Sequence, residues 1–139
     1  MLEIKGNLWD WHDKGYWIAI TTNGVIRMDG ACVMGRGIAR QAKNKFPQLP
    51  YDLGNSIQAG GNQVHQFSKY QIYTLPVKHH WRERADLDLI VRSCHQLNSI
   101  AEKTYMVRPG CGNGGMLWDV VKPAIENILD DRFIIVEIR

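Results

Sequence analysis

The chain has 139 residues, of which 45% are hydrophobic and 22% are charged, and its net charge at pH 7 is +3. This size and balance predict a single globular domain over residues 1–139 with a sizeable core. The mild charge permits a phosphorylated ligand but is not typical of a dedicated nucleic-acid binder.

Two further features suggest where the protein works. No apolar run approaches the ~20 residues that cross a bilayer, and the first residues lack the order of a signal peptide. The three cysteines, Cys32, Cys94 and Cys111, are too few and too scattered for a disulfide framework. We therefore expect a cytoplasmic protein with no membrane partner, and its small size favours a monomer.

The first third of the chain predicts two strands and a helix. Leu2–Lys5 alternates in polarity and predicts an edge strand, whereas Tyr16–Thr21 is a continuous apolar run that favours a buried strand. After a loop over residues 23–33, apolar residues recur at helical spacing over Met34–Phe46, which predicts a helix. Pro47 and Pro50 end it.

The middle of the chain predicts a hairpin preceded by little regular structure. Tyr51–Asn62 is polar and contains glycines, so we expect weak structure with about one helical turn there. Gln63–Phe67 and Gln71–Val77 look like two strands joined by a tight turn at Ser68 and Lys69.

The last third predicts alternating helices and strands. Asp86 is a good N-cap for a helix that carries an apolar face from Leu87 to Ile100. Tyr105–Arg108 predicts a strand, Met116–Leu129 a helix, and Arg132–Ile138 a closing strand. This alternation predicts an α/β sandwich with a mostly parallel inner sheet, which the hairpin makes mixed. We see no repeats and no domain linker.

Two glycine-rich segments predict a phosphate-binding site. The first glycine loop is Asp29–Ala39 and the second is Gly110–Gly115, and each lies between a strand and a helix. Glycines let backbone N–H groups approach a ligand, and helix N-termini favour negative charge. A glycine-rich helix entry without a ligand is the alternative, but both loops follow strands, where ligands of open α/β sheets bind. The spacing matches neither the P-loop nor the dinucleotide-binding fingerprint.

The motifs around these loops resemble those of the macro domain, a module that binds ADP-ribose. The resemblance rests on Gly6-Asn-Leu-Trp9, Val33-Met-Gly-Arg-Gly-Ile-Ala39 and Gly110-Cys-Gly-Asn-Gly-Gly-Met-Leu-Trp118, and it spans nearly the whole chain. It implies a three-layer α/β/α sandwich with a six-stranded mixed sheet. It also implies that two loops, Val33–Ala39 and Gly110–Gly115, wrap the diphosphate and the distal ribose of ADP-ribose.

The resemblance also implies a set of ligand-binding residues. At the position of Asn7, relatives usually carry an aspartate that accepts a hydrogen bond from the adenine amino group; the Asn7 side-chain oxygen can accept the same bond. The position of Asn23 lies near the distal ribose in relatives. The full implied set is Asn7, Leu8, Asn23, Val33, Met34, Gly35, Gly37, Ile38, Gly110, Cys111, Gly112, Asn113, Gly114, Gly115 and Met116.

Lys78 is the candidate catalytic residue. A solvated lysine would be the ordinary interpretation, but Lys78-His-His-Trp81 resembles the Lys-x-His-Trp segment of macro domains that remove ADP-ribose from DNA bases. A second group of macro domains, which cleaves ADP-ribose from glutamate, also has this lysine and adds an aspartate where this chain has Gly114. That difference argues against an aspartate-assisted mechanism and against a close match to the catalytic pair of either group. The Lys-x-His-Trp segment is what favours the DNA-directed group.

The chemistry of glycosidic cleavage suits a lysine in either charge state. Desolvation beside Trp81 would lower its pKa and make Lys78 a nucleophile, whereas a charged Lys78 would protonate the leaving group. Both roles stay open at this point.

Several other residues have two interpretations each. His79 and His80 suit acid–base work or a polar loop face, and Asp29 suits ribose contact or loop capping. The loop Lys78–Arg84, basic with Trp81 interleaved, suits a nucleic-acid strand or plain solvation. The histidines lack metal-ligand spacing, so we expect neither a metal nor another cofactor.

The sequence thus predicts an ADP-ribose-binding macro domain that acts as a hydrolase on a modified macromolecule, such as a DNA base. The alternatives are a reader of ADP-ribose without turnover, a phosphatase of ADP-ribose 1''-phosphate and a deacetylase of O-acetyl-ADP-ribose, all of which occur among macro domains.

Overall fold

The computed structural model of the protein describes residues 1–138, in which five helices pack on a six-stranded sheet. The strands are β1 (Leu2–Gly6), β2 (Trp17–Thr22), β3 (His65–Phe67), β4 (Ile72–Pro76), β5 (Thr104–Met106) and β6 (Phe133–Ile138). The helices are α1 (Leu8–Asp13), α2 (Gly37–Lys45), α3 (Leu49–Gly60), α4 (Leu87–Ile100) and α5 (Trp118–Ile125).

The sheet is mixed, with the order β1-β6-β5-β2-β4-β3. Every neighbouring pair is parallel except β3 and β4, which pair antiparallel across a turn at Ser68 and Lys69. The predicted hairpin, the mostly parallel sheet and the edge position of the first strand are therefore confirmed.

The alternation of side chains along the strands divides the core into two layers, because successive residues of a strand point to opposite faces. On one face, Ile18 and Ile20 of β2 pack with α1, α2 and α3. On the other face, Trp17 and Ala19 of the same strand pack with α4 and α5. The result is the predicted three-layer α/β/α sandwich.

Two helices differ from the sequence prediction. Tyr51–Asn62 was predicted to be weak structure, which is wrong, since α3 runs from Leu49 to Gly60 and buries Leu49, Leu53 and Ile57 along one side. Pro50 lies in its first turn, where a missing N–H costs nothing. The short helix α1 was not predicted at all; the side chain of Asn7 caps it by accepting a hydrogen bond from the N–H of Trp9 at 3.0 Å.

Two further helices, α2 and α5, are shorter than predicted. α2 begins at Gly37 instead of Met34, and α5 spans Trp118–Ile125 instead of Met116–Leu129. Both loops therefore extend further toward their helices than the periodicity indicated. α4 begins after Asp86, whose side chain accepts from the N–H of Asp88, as expected of an N-cap. Across residues 1–138, the helices are all too short or too polar to span a bilayer.

Candidate functional site

A large cavity of about 740 Å³ lies at the carboxyl edge of the sheet. Residues at or just after the ends of four adjacent strands line it: Thr22 of β2, Lys78 beyond β4, Arg108 beyond β5 and Glu137 of β6. This is the edge at which open α/β sheets bind ligands. The cavity is also within the volume range of small-molecule sites.

The first glycine loop lines one side of the cavity and leads directly into α2. The N-cap of α2 is Arg36, which makes no side-chain capping hydrogen bond, and Gly37 follows with a left-handed φ of +58°. Residues 33–39 all line the cavity. The first N–H groups of α2 therefore lack a side-chain partner at the cavity wall, where they carry partial positive charge.

The second glycine loop lines the opposite side and leads into α5. Its helix is likewise without a side-chain cap at Leu117. Neighbouring backbone holds the loop: the N–H of Ala85 donates to the carbonyl of Gly114 at 2.9 Å, and the N–H of Met116 donates to that of Gly110 at 2.9 Å. Arg84 adds a hydrogen bond from Nη2 to the carbonyl of Gly115 at 2.6 Å.

Gly114 lies in a space that admits no side chain. A Cβ there would clash with the carbonyl oxygen of Gly110 and stand 2.9 Å from the Cβ of Ala85. An aspartate at this position, as in the glutamate-directed group, would require the loop to move. The conformation of the second glycine loop therefore requires glycine at position 114, and a glycine supplies no carboxylate.

Lys78 lies between the two loops, just beyond β4. Its Nζ donates to the carbonyl oxygens of Asn113 at 3.2 Å and of Trp81 at 3.4 Å. Partial burial, and then the nearby charge of Arg36, lower the pKa of Lys78 below its ordinary value. Two of the three hydrogen-bonding directions of this amine are used by the protein, and the third is left for a ligand.

The rest of the Lys78–Arg84 loop is engaged in contacts of its own. Nε2 of His79 lies 2.8 Å from Oδ2 of Asp86, which holds the pKa of Asp86 below its usual value. His80 stacks on Trp81 with ring centroids 5.5 Å apart, and the guanidinium of Arg82 lies 4.7 Å from the Trp81 ring. Trp81 itself lines the cavity.

Arg108 is a cationic group in the cavity wall that the sequence did not single out. Its Nη2 lies 3.4 Å from Oε2 of Glu137, and its guanidinium lies 5.2 Å from the ring of Trp118. Its Nε is buried and finds no hydrogen-bond partner among residues 1–138. A buried donor without a partner costs free energy, and the side chain as a whole adds positive charge to the cavity wall.

Most of the predicted site residues meet at this cavity. Those that line it are Asn23, Val33, Met34, Gly35, Gly37, Ile38, Lys78, Gly110, Cys111, Gly112, Asn113, Gly114 and Met116. Asn7, Leu8 and Gly115 do not line it: Asn7 caps α1, Leu8 is buried in the core, and Gly115 accepts from Arg84. The roles of all these residues in ligand binding stay predictions.

Asn23 and Asp29, both candidates for contact with ribose, have structural roles. Asn23 braces the first glycine loop, since Nδ2 donates to the carbonyl of Val33 at 2.9 Å and Oδ1 accepts from the N–H of Val25 at 3.0 Å. Asp29 lies outside the large cavity, where Oδ1 accepts from the N–H of Ala31 at 3.2 Å. It is a loop cap in this structure.

Sequence analysis missed Arg36 and Arg108 as cavity residues. Arg36 stands between Gly35 and Gly37 of the first glycine loop, so its place in the cavity wall could have been predicted from the loop. Arg108 belongs to a predicted strand end, and only the fold shows that its side chain enters the cavity. Residues 1–138 contain no cluster of three or more groups able to hold a metal ion.

Comparisons with known proteins complete the description of the site. No protein-family model matches the chain. Over 112 residues it is 27% identical to a DNA ADP-ribosyl glycohydrolase of Thermus aquaticus, a match that covers 70% of this chain and 31% of that protein. The chain thus spans about a third of the length of this curated relative.

Solved structures give matches over nearly the whole chain. The macrodomain of Mycobacterium tuberculosis DarG superposes with a TM-score of 0.73 at 25% identity, covering 97% of this chain and 95% of the other. The macrodomain of Thermus aquaticus DarG gives 0.72 at 23% identity, covering 97% and 95%. Thermosipho africanus DarTG in complex with ADP-ribose gives 0.73 at 18% identity, covering 99% of this chain and 41% of the other.

Proposed function

We propose that this chain is a macro domain of the DarG-like branch, and that it binds ADP-ribose and hydrolyses the bond that joins ADP-ribose to DNA. Lys78 is the catalytic residue of this proposal. The two glycine loops bind and orient the ligand.

The observation that carries the proposal is the meeting of two uncapped helix N-termini at one cavity. α1 and α4 begin with side-chain caps, from Asn7 and Asp86. α2, α3 and α5 begin without one, and of these three the starts of α2 and α5 line the cavity, whereas α3 begins outside it. Partial positive charge from both ends, with free N–H groups at glycine positions, suits a ligand with two phosphates. The unpaired Nε of Arg108 adds a buried cationic donor to the same wall.

Lys78 acts as a neutral amine in this proposal. Burial and Arg36 both lower its pKa, which increases the neutral fraction near pH 7. The Nζ lone pair adds to the anomeric carbon of the distal ribose while the bond to the base breaks and its electrons leave with the base, which takes up a proton. Water then displaces Nζ, releases ADP-ribose and restores the amine.

The resemblance of Lys78–Trp81 to the segment of the DNA-directed group supports that activity over hydrolysis of glutamate-linked ADP-ribose. The glutamate-directed group uses an aspartate at the position of Gly114, and the packing of Gly110 and Ala85 leaves no room for one. Lys78 must therefore lead the chemistry alone.

The test is release of ADP-ribose from ADP-ribosylated single-stranded DNA. Wild-type protein is expected to release it, and Lys78→Ala is expected to lower kcat by at least about 100-fold while ADP-ribose binding changes little. Lys69→Ala is the matched control, because Lys69 lies in the β3–β4 turn, away from the cavity.

Two results would contradict the proposal in different ways. Binding of ADP-ribose without release from DNA or protein substrates would make the protein a reader. Unchanged release by Lys78→Ala would remove Lys78 from the mechanism but leave the hydrolase activity standing.

The pH dependence distinguishes the two charge states of Lys78. If the neutral amine reacts, kcat must rise as pH increases toward the lowered pKa of Lys78 and level off above it. A kcat that falls over the same range would show that the ammonium form acts as a general acid.

A further inference from the structure

Positive charge is concentrated on one part of the surface. Residues 27–46 hold five of the chain's 17 cationic side chains and one of its 14 acidic ones, so the remaining residues hold 12 cationic and 13 acidic ones. The net charge of the chain therefore comes from this segment. A local excess of this kind attracts a polyanion more strongly than the mild overall charge indicates.

Three of these cations lie along one side of α2 and its N-cap. Arg36, Arg40 and Lys43 are spaced i, i+4 and i+7, which places them on one helix face about 10 Å long at 1.5 Å per residue. Arg36 lines the large cavity, and Lys43 lines a second cavity together with Arg27. We call Arg27, Arg36, Arg40 and Lys43 the basic ridge.

The second cavity begins where the large cavity ends. Its volume is about 480 Å³, and both cavities share the wall formed by residues 33–35. The exposed ring of Tyr51 lines it beside the cationic side chains of Arg27 and Lys43. An aromatic face next to cations is the combination that binds a single-stranded nucleic acid, by stacking and by phosphate contact.

Three of the four cations of the ridge have no carboxylate partner, whereas cations of the Lys78–Arg84 loop are engaged in contacts of their own. Arg36, Arg40 and Lys43 have no carboxylate within 4.0 Å among residues 1–138, and Arg27 approaches only Asp29, at 3.8 Å. In the Lys78–Arg84 loop, by comparison, Arg84 is bound to Gly115 and Arg82 lies over Trp81. Cations without partners keep their charge available for a ligand.

We propose that the basic ridge and the second cavity hold the sugar-phosphate backbone of the DNA strand that carries the ADP-ribose. The modified nucleotide lies at the Lys78 end of the large cavity, and the adjoining strand passes Arg36 and Arg40 to reach Lys43 and Arg27. A base of this flanking strand stacks on Tyr51. The contacts recognise phosphates and not sequence, so they provide affinity for polynucleotides without base specificity.

This inference rests on the proposed function for its substrate, and the experiment separates the two. Arg40→Gln/Lys43→Gln removes two ridge cations that lie outside the large cavity. We expect kcat/KM for ADP-ribosylated single-stranded DNA to fall about tenfold, because two phosphate contacts are lost. Hydrolysis of an ADP-ribosylated nucleoside, which has no flanking strand, is expected to stay at the wild-type rate.

The matched control is Lys69→Gln/Arg92→Gln, which removes the same charge from the β3–β4 turn and from α4. This variant is expected to behave as wild type on both substrates. If the two double variants lose activity equally on the DNA substrate, the effect comes from net charge and the ridge proposal is wrong.

A second measurement needs no hydrolysis and therefore survives failure of the proposed function. Binding of an unmodified single-stranded DNA oligonucleotide is followed by fluorescence anisotropy over a range of salt concentrations. Loss of two phosphate contacts should make the slope of log affinity against log salt shallower by about 1.4 in the ridge variant. Equal slopes for wild type, ridge variant and control would overturn the proposal.

Discussion

The two glycine loops face each other across the cavity, yet they hold their shapes in different ways. The first depends on the side chain of Asn23 and on the close approach of α3, and most of its glycines have open space where a Cβ would be, as at Gly35. The second is packed against the segment before α4, so that Gly110 and Gly114 have no room for any side chain. Hydrogen bonds and contacts with neighbouring elements therefore hold the first loop, whereas steric packing that excludes side chains holds the second.

The largest expected effect is that of Gly114→Ala in the second loop. The added Cβ meets backbone that cannot move aside, and overpacking of this kind costs about 1–3 kcal/mol. We expect a lower Tm and an ADP-ribose affinity reduced by about tenfold or more, measured by calorimetry. Gly112→Ala is the control for Tm, because a Cβ there meets nothing within 4 Å of the protein; equal losses of Tm in both variants would break the comparison.

Gly37→Ala should have an intermediate effect in the first loop. The left-handed φ of +58° costs an alanine about 1–2 kcal/mol, although the neighbouring Nδ2 of Asn113, at 2.9 Å from the added Cβ, can turn away. We expect ADP-ribose affinity to fall about fivefold to tenfold in a calorimetric titration. Stability separates the backbone effect from contact with the ligand: Gly37→Ala should lower Tm, whereas Gly35→Ala, whose added Cβ meets nothing within 4 Å, should leave Tm unchanged. An equal loss of Tm in both variants would count against the backbone explanation.

Arg84→Ala should have a smaller effect, on the second loop alone. It removes the hydrogen bond from Nη2 to the carbonyl of Gly115, and because Arg84 is exposed the loss is about 0.5–1.5 kcal/mol. Amide hydrogen exchange should become faster in residues 110–116 and stay unchanged in residues 33–39. Arg92→Ala on α4, with the same change of charge, should alter neither loop.

The smallest effect concerns pH and the helix that supports the second loop. The hydrogen bond from His79 and the backbone N–H groups at the start of α4 lower the pKa of Asp86. A carboxyl with a lowered folded pKa stabilises the fold above its unfolded pKa of about 4, and this contribution is lost as pH falls through the folded value. His79→Gln should remove part of it, at most about 1 kcal/mol for an exposed pair, measured by urea unfolding at pH 7 and pH 3.

The local elements that were predicted correctly share strong periodicity or clear caps. The apolar run of β2, the face of α4 and the cap at Asp86 are properties of neighbouring residues, so the sequence alone displays them. α3 was missed because Pro50, Gly54 and Gly60 lower its helix propensity, while its stability comes from burying Leu49 and Leu53 against the sheet. Helix propensity describes individual residues, so it does not include the free energy gained when α3 packs against the sheet.

Some features of the candidate site could likewise be predicted from the sequence, and others depend on the fold. Both glycine loops and Lys78 were readable from the motifs, and the fold brings them to one cavity. The contact between Lys78 and the carbonyl of Asn113 joins residues 35 positions apart, and the shared wall of the two cavities depends on how α2 packs beside the sheet. A sequence motif of a few residues cannot predict the contact between Lys78 and Asn113 or the wall that the two cavities share.

The meeting of α3 with the first glycine loop has a consequence for variation in this protein. At Gly54 the helix backbone touches the backbone of Gly30, so closely that a single methyl group would clash with the carbonyl oxygen of Gly30, and the N–H of Cys32 donates to the carbonyl of Pro50 at 2.8 Å. Substitutions on α3 therefore shift a ligand-facing loop without touching the ligand. Gly54 of the helix and Gly30 of the loop therefore constrain each other during evolution, and a screen of random variants would find defects of ADP-ribose binding on a helix that does not line the large cavity.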